Sequence, residues 1–161
     1  MIEELIDRKN LSEIAEMEKE IFCNTAFSEK QLKEMEEIDR YRFLIVKKEE
    51  KIAGYVILYD SVDVWEIMKI AVKKEHRREG VGEELLNYIS SLGQIPIMLE
   101  VRENNTEAIE FYKKNGFEQI ATRKNYYTDT GEAAYIMVKN WLIDEIVLYY
   151  QKLWKQKPIN I

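Results

Sequence analysis

Between residues 41 and 72 the chain has few choices. Three runs rich in β-branched and aromatic residues, Arg42–Lys48, Ile52–Tyr59 and Val62–Val72, follow one another with only brief polar breaks. Lys48-Glu49-Glu50-Lys51 and Asp60-Ser61 are too short to carry a crossover helix. The three runs therefore predict an antiparallel meander joined by hairpins.

The flanking sequence changes period. Residues 2–6 read as a short strand, and residues 11–24 as a helix with Asn10 as N-cap. Leu11, Ile14, Ala15, Ile21 and Phe22 form its apolar stripe, and only Glu18 interrupts it. Ser28 followed three residues later by Gln31 has the form of a capping box, opening a second helix through Leu32 and Met35. After the meander, helices are predicted from Gly82 to about Leu92 and over Thr106–Asn115, the second stopped by Asn115-Gly116. Strands are predicted at Pro96–Val101, Phe117–Tyr126 and Ala133–Val138. The order β-α-α-β-β-β-α-β-α-β-β gives an α/β (α+β) class: a mixed, mostly antiparallel sheet with helices on both faces. Residues 1–140 form this domain. Residues 141–161, with Trp141, Ile143, Ile146, Val147, Tyr150 and Trp154 at helical steps, are expected to add an amphipathic C-terminal helix. It would dock on the domain or on a second copy, so a monomer and a homodimer are both open.

Composition narrows the chemistry. The single cysteine, Cys23, reads as a small buried residue and excludes a disulfide framework; the single histidine, His76, argues against a metal centre, and no metal is expected. Catalysis would need carboxylates, tyrosines, backbone groups or a borrowed reagent. The net charge of −6 resides entirely in residues 1–40, which carry 12 acidic and 6 basic side chains. That bias disfavours nucleic acid and suits a cationic substrate, although a solvated helix face would look the same. No run is long and apolar enough for a membrane span and no leader pattern opens the chain, so the expected location is cytoplasmic with no membrane partner.

The most informative stretch is Ile70-Ala71-Val72-Lys73-Lys74-Glu75-His76-Arg77-Arg78-Glu79-Gly80-Val81-Gly82. A buried-type strand ends, a basic loop follows, and two glycines open a helix. A helix N-terminus offers unpaired N–H groups and a positive dipole end. Gly80 and Gly82 would let a ligand approach the main chain, and Lys73, Lys74, Arg77 and Arg78 add charge suited to phosphate. The dinucleotide-binding pattern lacks its third glycine here, and no Gly-Lys-Ser/Thr triplet exists. Taken alone, the stretch is either a diphosphate cradle or a glycine-containing turn with solvated basic residues.

Arg77-Arg78-Glu79-Gly80-Val81-Gly82 resembles the Arg/Gln-x-x-Gly-x-Gly/Ala signature of the GNAT acetyltransferase superfamily. The stretch Leu99-Glu100-Val101-Arg102-Glu103-Asn104-Asn105 through Phe111-Tyr112 to Asn115-Gly116-Phe117 is similar to the second half of that fold. Asn125-Tyr126-Tyr127 and Gly131-Glu132-Ala133-Ala134-Tyr135-Ile136-Met137 resemble the ribosomal-protein-alanine N-acetyltransferases and archaeal N-terminal acetyltransferases. The resemblance implies acetyl-CoA as cosubstrate, lying between the fourth and fifth strands where they splay apart. Its pantetheine arm would pair with Ile70, Ala71 and Val72, and its pyrophosphate would meet the backbone from Arg77 through Arg78, Glu79, Gly80 and Val81 to Gly82. Asn105 matches the asparagine that bonds the pantetheine arm; it can equally cap its helix.

The resemblance also assigns chemistry. Glu100 becomes the base, directly or through a water, and Tyr112 the acid toward the thiolate and a contact for the cofactor. Without it, Glu100 reads as a carboxylate paired with Arg102, and Tyr112 as a core aromatic. A backbone N–H near Ile70 or Ala71 would meet the developing oxyanion. The acceptor groove is implied between Phe22–Phe27 and Asn125–Gly131, with Phe27, Glu100, Tyr126 and Tyr127 as contacts; Tyr126 and Tyr127 could also be ordinary strand aromatics. Phe27 stands where the subgroup commonly has Trp, and Ala133 where it has Asp. The implied activity is direct acetyl transfer to a protein N-terminal amine, with the N-terminal alanine of a ribosomal protein leading. A small-amine acetyltransferase (polyamine, amino acid or aminoglycoside) and a non-catalytic acyl-CoA-binding module are the alternatives.

Overall fold

The computed structural model describes residues 1–4 and 8–140, the Arg8 side chain excepted. The expected helix at 141–161 and the end of the strand at 2–6 lie outside these residues. The described elements are β1 (Ile2–Glu4), α1 (Arg8–Phe22), α2 (Glu29–Glu36), β2 (Tyr41–Lys48), β3 (Lys51–Asp60), β4 (Trp65–Val72), α3 (Val81–Ser91), β5 (Ile97–Arg102), α4 (Thr106–Lys114), β6 (Glu118–Arg123) and β7 (Ala134–Lys139). They build a seven-stranded sheet in the order β1-β2-β3-β4-β5-β7-β6. Every neighbouring pair is antiparallel except β4 and β5, so the mixed, mostly antiparallel sheet stands as expected.

Strand alternation sends side chains to two large cores and to a smaller cluster of Val64, Met98, Ile136 and Val138. Leu44, Val46, Val56 and Leu58 pack with Val81, Leu85, Leu86 and Ile89 of α3 and with Ile109 and Tyr112 of α4. Phe43, Ile45, Tyr55 and Ile57 pack with Leu11, Ile14 and Met17 of α1 and with Leu32 of α2. Each face of the sheet is thus covered by two helices.

Local signals mostly hold. Ser28 and Gln31 form the reciprocal capping box: Gln31 N–H donates to Ser28 Oγ at 3.2 Å and Ser28 N–H to Gln31 Oε1 at 2.9 Å. Gly116 adopts φ +85° where α4 ends, and Phe117 N–H turns back to Tyr112 O at 3.0 Å. Two readings are corrected. Asn10 lies inside α1, because the helix already includes Arg8. Cys23 is exposed, because it sits in the one-turn 3₁₀ segment between α1 and α2 rather than on the helix stripe.

Candidate active site

β4 and β5 pair only through Trp65↔Ile97, Glu66↔Met98 and Ile67↔Leu99. Beyond Ile67, β4 runs on to Val72 with β3 alone beside it, while β5 runs on to Arg102 beside β7. The parallel pair therefore opens into a wedge. The register also slips in β4: Ile57 faces Lys69 and Leu58 faces Ile67, so Met68 bulges out at the point of separation.

Ladder geometry decides which backbone groups line the wedge. Lys73 N–H donates to Ala53 O at 2.8 Å, so Val72, opposite Gly54, belongs to a non-hydrogen-bonded pair. Alternation then turns the N–H and C=O of Ile70 and Val72 into the wedge and those of Ala71 toward Tyr55 on β3. This corrects the expectation that all three residues offer their main chain: Ala71 is already paired inside the sheet. Arg77 Nε reaches Val72 O at 3.4 Å and ties the following loop to the wedge rim.

That loop turns through two left-handed residues, Arg78 (φ +64°) and Gly80 (φ +81°), before α3 begins. Glu84 N–H donates to Gly80 O at 2.9 Å, which leaves the amides of Val81, Gly82 and Glu83 without acceptors inside the helix. A row of donors at the positive end of α3 can hold an anion. Two details differ from expectation. A Cβ on Gly82 would lie 2.8 Å from Phe111 Cζ, so that glycine makes room for α4 rather than for a ligand. Lys73 is ion-paired with Glu13 of α1 at 3.1 Å, which withdraws it from the phosphate-binding set. Lys74, Arg77 and Arg78 stay on the surface of the loop. Glu79 is held by Lys48 at 2.5 Å and by His76 at 3.2 Å, which anchors the loop to the β2–β3 hairpin. Its carboxyl sits below the ordinary glutamate value because of those two bonds.

A glycine that sequence reasoning passed over supports this turn. A Cβ on Gly54 would lie 2.7 Å from Val81 Cγ1 and 3.0 Å from Ala71 O. The bare strand lets the first turn of α3 settle onto the sheet. An isolated glycine inside a strand was the available signal.

Across the wedge, α4 begins at Asn105, whose Oδ1 accepts from Ala108 N–H at 3.2 Å. Capping thus occupies the oxygen of Asn105, while its amide nitrogen remains available to a ligand. Tyr112 lies two turns on, only 7% exposed, with its ring edge-on to Phe111 and Phe117. Burial pushes its phenol well above the ordinary tyrosine value.

Glu100 corrects another expectation. Its partner is Arg123 of β6 at 2.9 Å, not Arg102. Arg102 instead grips Asp129 at 3.0 Å and Glu132 at 3.4 Å, and lies 3.9 Å over the ring of Tyr127. Tyr126 and Tyr127 meet at 88° with their centroids 5.1 Å apart. Partial burial first, and then the Glu100 carboxylate, pushes the phenol of Tyr126 up to about 12. The end of β5, the β6–β7 loop and Arg123 thus form one connected wall, in which Arg123 was not foreseen.

Residues 10–117 match the sequence profile of the Acetyltransferase (GNAT) family, well over half of the chain. The chain belongs to the GNAT acetyltransferase family. Among curated proteins it is 38% identical over 99 residues to a Bacillus subtilis protein provisionally named [ribosomal protein bS18]-alanine N-acetyltransferase, covering 59% of this chain and 66% of that protein. The Escherichia coli [ribosomal protein bS18]-alanine N-acetyltransferase is 33% identical over 105 residues, covering 62% of this chain and 71% of the relative. The matches thus span about two thirds of each relative. The crystal structure of the Escherichia coli enzyme superposes with a TM-score of 0.73 at 28% identity, over 86% of this chain and 93% of that one. A Bacillus anthracis acetyltransferase, provisionally assigned to streptothricin and solved with acetyl coenzyme A, gives a TM-score of 0.62 at 26% identity and covers 68% of each chain.

This GNAT N-acetyltransferase brings most of its expected site residues to one wedge. Ile70 and Val72 line one arm, Glu100 stands at the other, and the turn from Arg77 to Gly82 closes the end of β4. Phe27 lies on the α1 side, where its N–H donates to Glu18 at 2.8 Å. Lys69, also not foreseen from the sequence, sits beside it with its ammonium 3.3 Å from Glu18. A charged residue in a strand, with Glu18 as a charge breaking a helix stripe, was the available signal for Lys69.

Proposed function

We propose that this GNAT enzyme acetylates a protein N-terminal amine, with acetyl-CoA lying in the β4–β5 wedge. The observation that carries the donor site is the loss of β4–β5 pairing after Ile67, with donors at the start of α3 where β4 ends. The inward-facing amide and carbonyl groups of Ile70 and Val72 would pair with the pantetheine arm as an added strand does. The amides from Arg78 to Gly82, with Arg77, Arg78 and Lys74, would hold the pyrophosphate. Asn105 would offer its amide nitrogen to the arm. Bound there, acetyl-CoA supplies an acyl group on a thioester.

Each residue has a task in that arrangement. Glu100, directly or through a water, takes a proton from the acceptor amine, whose nitrogen forms the new bond to the acyl carbon. The Ile70 N–H donates to the carbonyl oxygen as negative charge gathers on it. Ala71, whose amide is paired to β3, does not. The carbon–sulfur bond breaks and Tyr112 gives its proton to the departing sulfur. Burial keeps the phenol protonated in the resting enzyme, so the proton is there to give.

The acceptor assignment follows the two bacterial relatives named for ribosomal protein bS18 alanine, together with the Tyr126–Tyr127 wall beside Glu100. Phe27 would face that wall from the α1 side. The excess of acidic side chains in residues 1–40 favours a cationic partner. Coenzyme A release with an Ala-starting peptide, measured against spermidine, tests this reading. Faster turnover of the peptide is expected; turnover confined to spermidine would replace it with a small-amine acetyltransferase.

A further inference from the structure

The α1 side of the wedge holds an ion pair to which the acetyl-transfer steps give no role. Glu18, the one break in the apolar stripe of α1, is fully buried. It accepts from the Tyr55 phenol of β3 and from Phe27 N–H at 2.8 Å, and it pairs with Lys69 at 3.3 Å. Lys69 Nζ also donates to Thr25 O at 2.7 Å and lies 4.2 Å from the Phe22 ring centroid and 4.3 Å from that of Phe27. One ammonium and one carboxylate therefore fix four points of a six-residue segment. Lys69 leaves β4 beyond its last β5 partner, next to Ile70. The segment is thereby locked to the part of the strand that borders the wedge.

A buried ion pair is a poor way to gain stability over apolar packing, but its directional bonds specify one geometry. Here they end on the backbone of Thr25 and Phe27. We infer that Lys69, acting through Glu18, positions Phe22–Phe27 as a preset wall of the acceptor groove, and so sets the affinity for the acceptor amine while leaving the acetyl donor untouched. This rests on the acceptor groove proposed above and adds a positioning residue to it.

The test uses the full chain with the double substitution Lys69→Met and Glu18→Gln, which removes both charges together, and with Lys69→Arg. Hydrogen exchange of the amides in residues 22–27 reads the wall itself, whatever the acceptor. Steady-state kinetics with the Ala-starting peptide read its consequence. In the double variant, exchange of the Phe27 amide should quicken and peptide KM should rise about tenfold or more, while kcat and acetyl-CoA KM stay within about twofold. Lys69→Arg should recover most of the peptide KM. Unchanged exchange, unchanged peptide KM, or a parallel rise in acetyl-CoA KM would each overturn the inference. Should the double variant not fold, Glu18→Gln, which leaves the partly exposed ammonium to reach water rather than a buried carboxylate unpaired, carries the same measurements with the same outcomes. If the wild-type enzyme turns over only spermidine, the peptide reading fails, and spermidine KM then judges the wall.

Discussion

Glu100 and Tyr112 come from different elements and meet the wedge from different sides. Tyr112→Phe keeps the ring contacts with Phe111 and Phe117 and removes only the proton donor. Turnover should fall by about 10²-fold or more with little change in coenzyme A affinity, measured by kinetics and calorimetry. Unchanged turnover would remove Tyr112 as the acid. The Glu100–Tyr126 contact is testable separately. Tyr126 should titrate near 12 in the native protein. Glu100→Gln deletes the negative charge beside it, so the value should move down toward the ordinary 10.0, read by NMR of the Tyr126 ring. The roles of Glu100 and Tyr112 were legible only by resemblance, since without it Glu100 reads as one half of an ion pair and Tyr112 as a core aromatic. Arg123 was not legible, because its partnership with Glu100 depends on β7 lying between β5 and β6.

At the scale of elements, the turn before α3 is shaped by two close approaches. Gly54 admits Val81, and Gly82 admits Phe111. Gly82→Val should force α3 and α4 apart, costing about 1–3 kcal/mol as overpacking does, and should weaken coenzyme A binding. A variant with wild-type melting and affinity would mean that the two helices do not meet as described. Lys69→Met alone should cost about 3–5 kcal/mol, because it leaves Glu18 charged, buried and unpaired; the paired double substitution should cost less. A double variant less stable than Lys69→Met in thermal denaturation would contradict that reading. The hairpins, the capping box and the stop at Gly116 were legible because each depends on a few adjacent residues. The wedge itself was not, since where β4 loses β5 is set by the sheet order and by the bulge at Met68, which no local window contains.

Over the whole molecule, the sheet separates the two larger cores, and surface carboxylates pair within and between the outer elements. Glu4, Glu29, Glu79 and Asp129 are all held below their ordinary values, chiefly by hydrogen bonds to Arg42, to Lys33, to Lys48 and to Arg102 respectively. Unfolded, the three glutamates would titrate near 4.5. Between the folded and unfolded values the unfolded chain binds more protons, so stability climbs with pH in that window. Their contribution should be complete above about pH 4.5 and should fade as acidification passes through the lower folded values. A thermal melting midpoint that declines modestly below about pH 4.5 is expected, because these carboxylates are exposed and screened; a midpoint insensitive to acid there would show these pairs to be inert.

The donor site can be read most directly from backbone amide NMR of the labelled protein titrated with coenzyme A. The largest shifts should fall on Ile70, Val72 and the amides from Arg78 to Gly82, with Ala71 and the β1–β2 edge little affected. Saturation with shifts confined to other surfaces, or no shift at all, would contradict a wedge in which bare strand and helix end together hold the acyl donor.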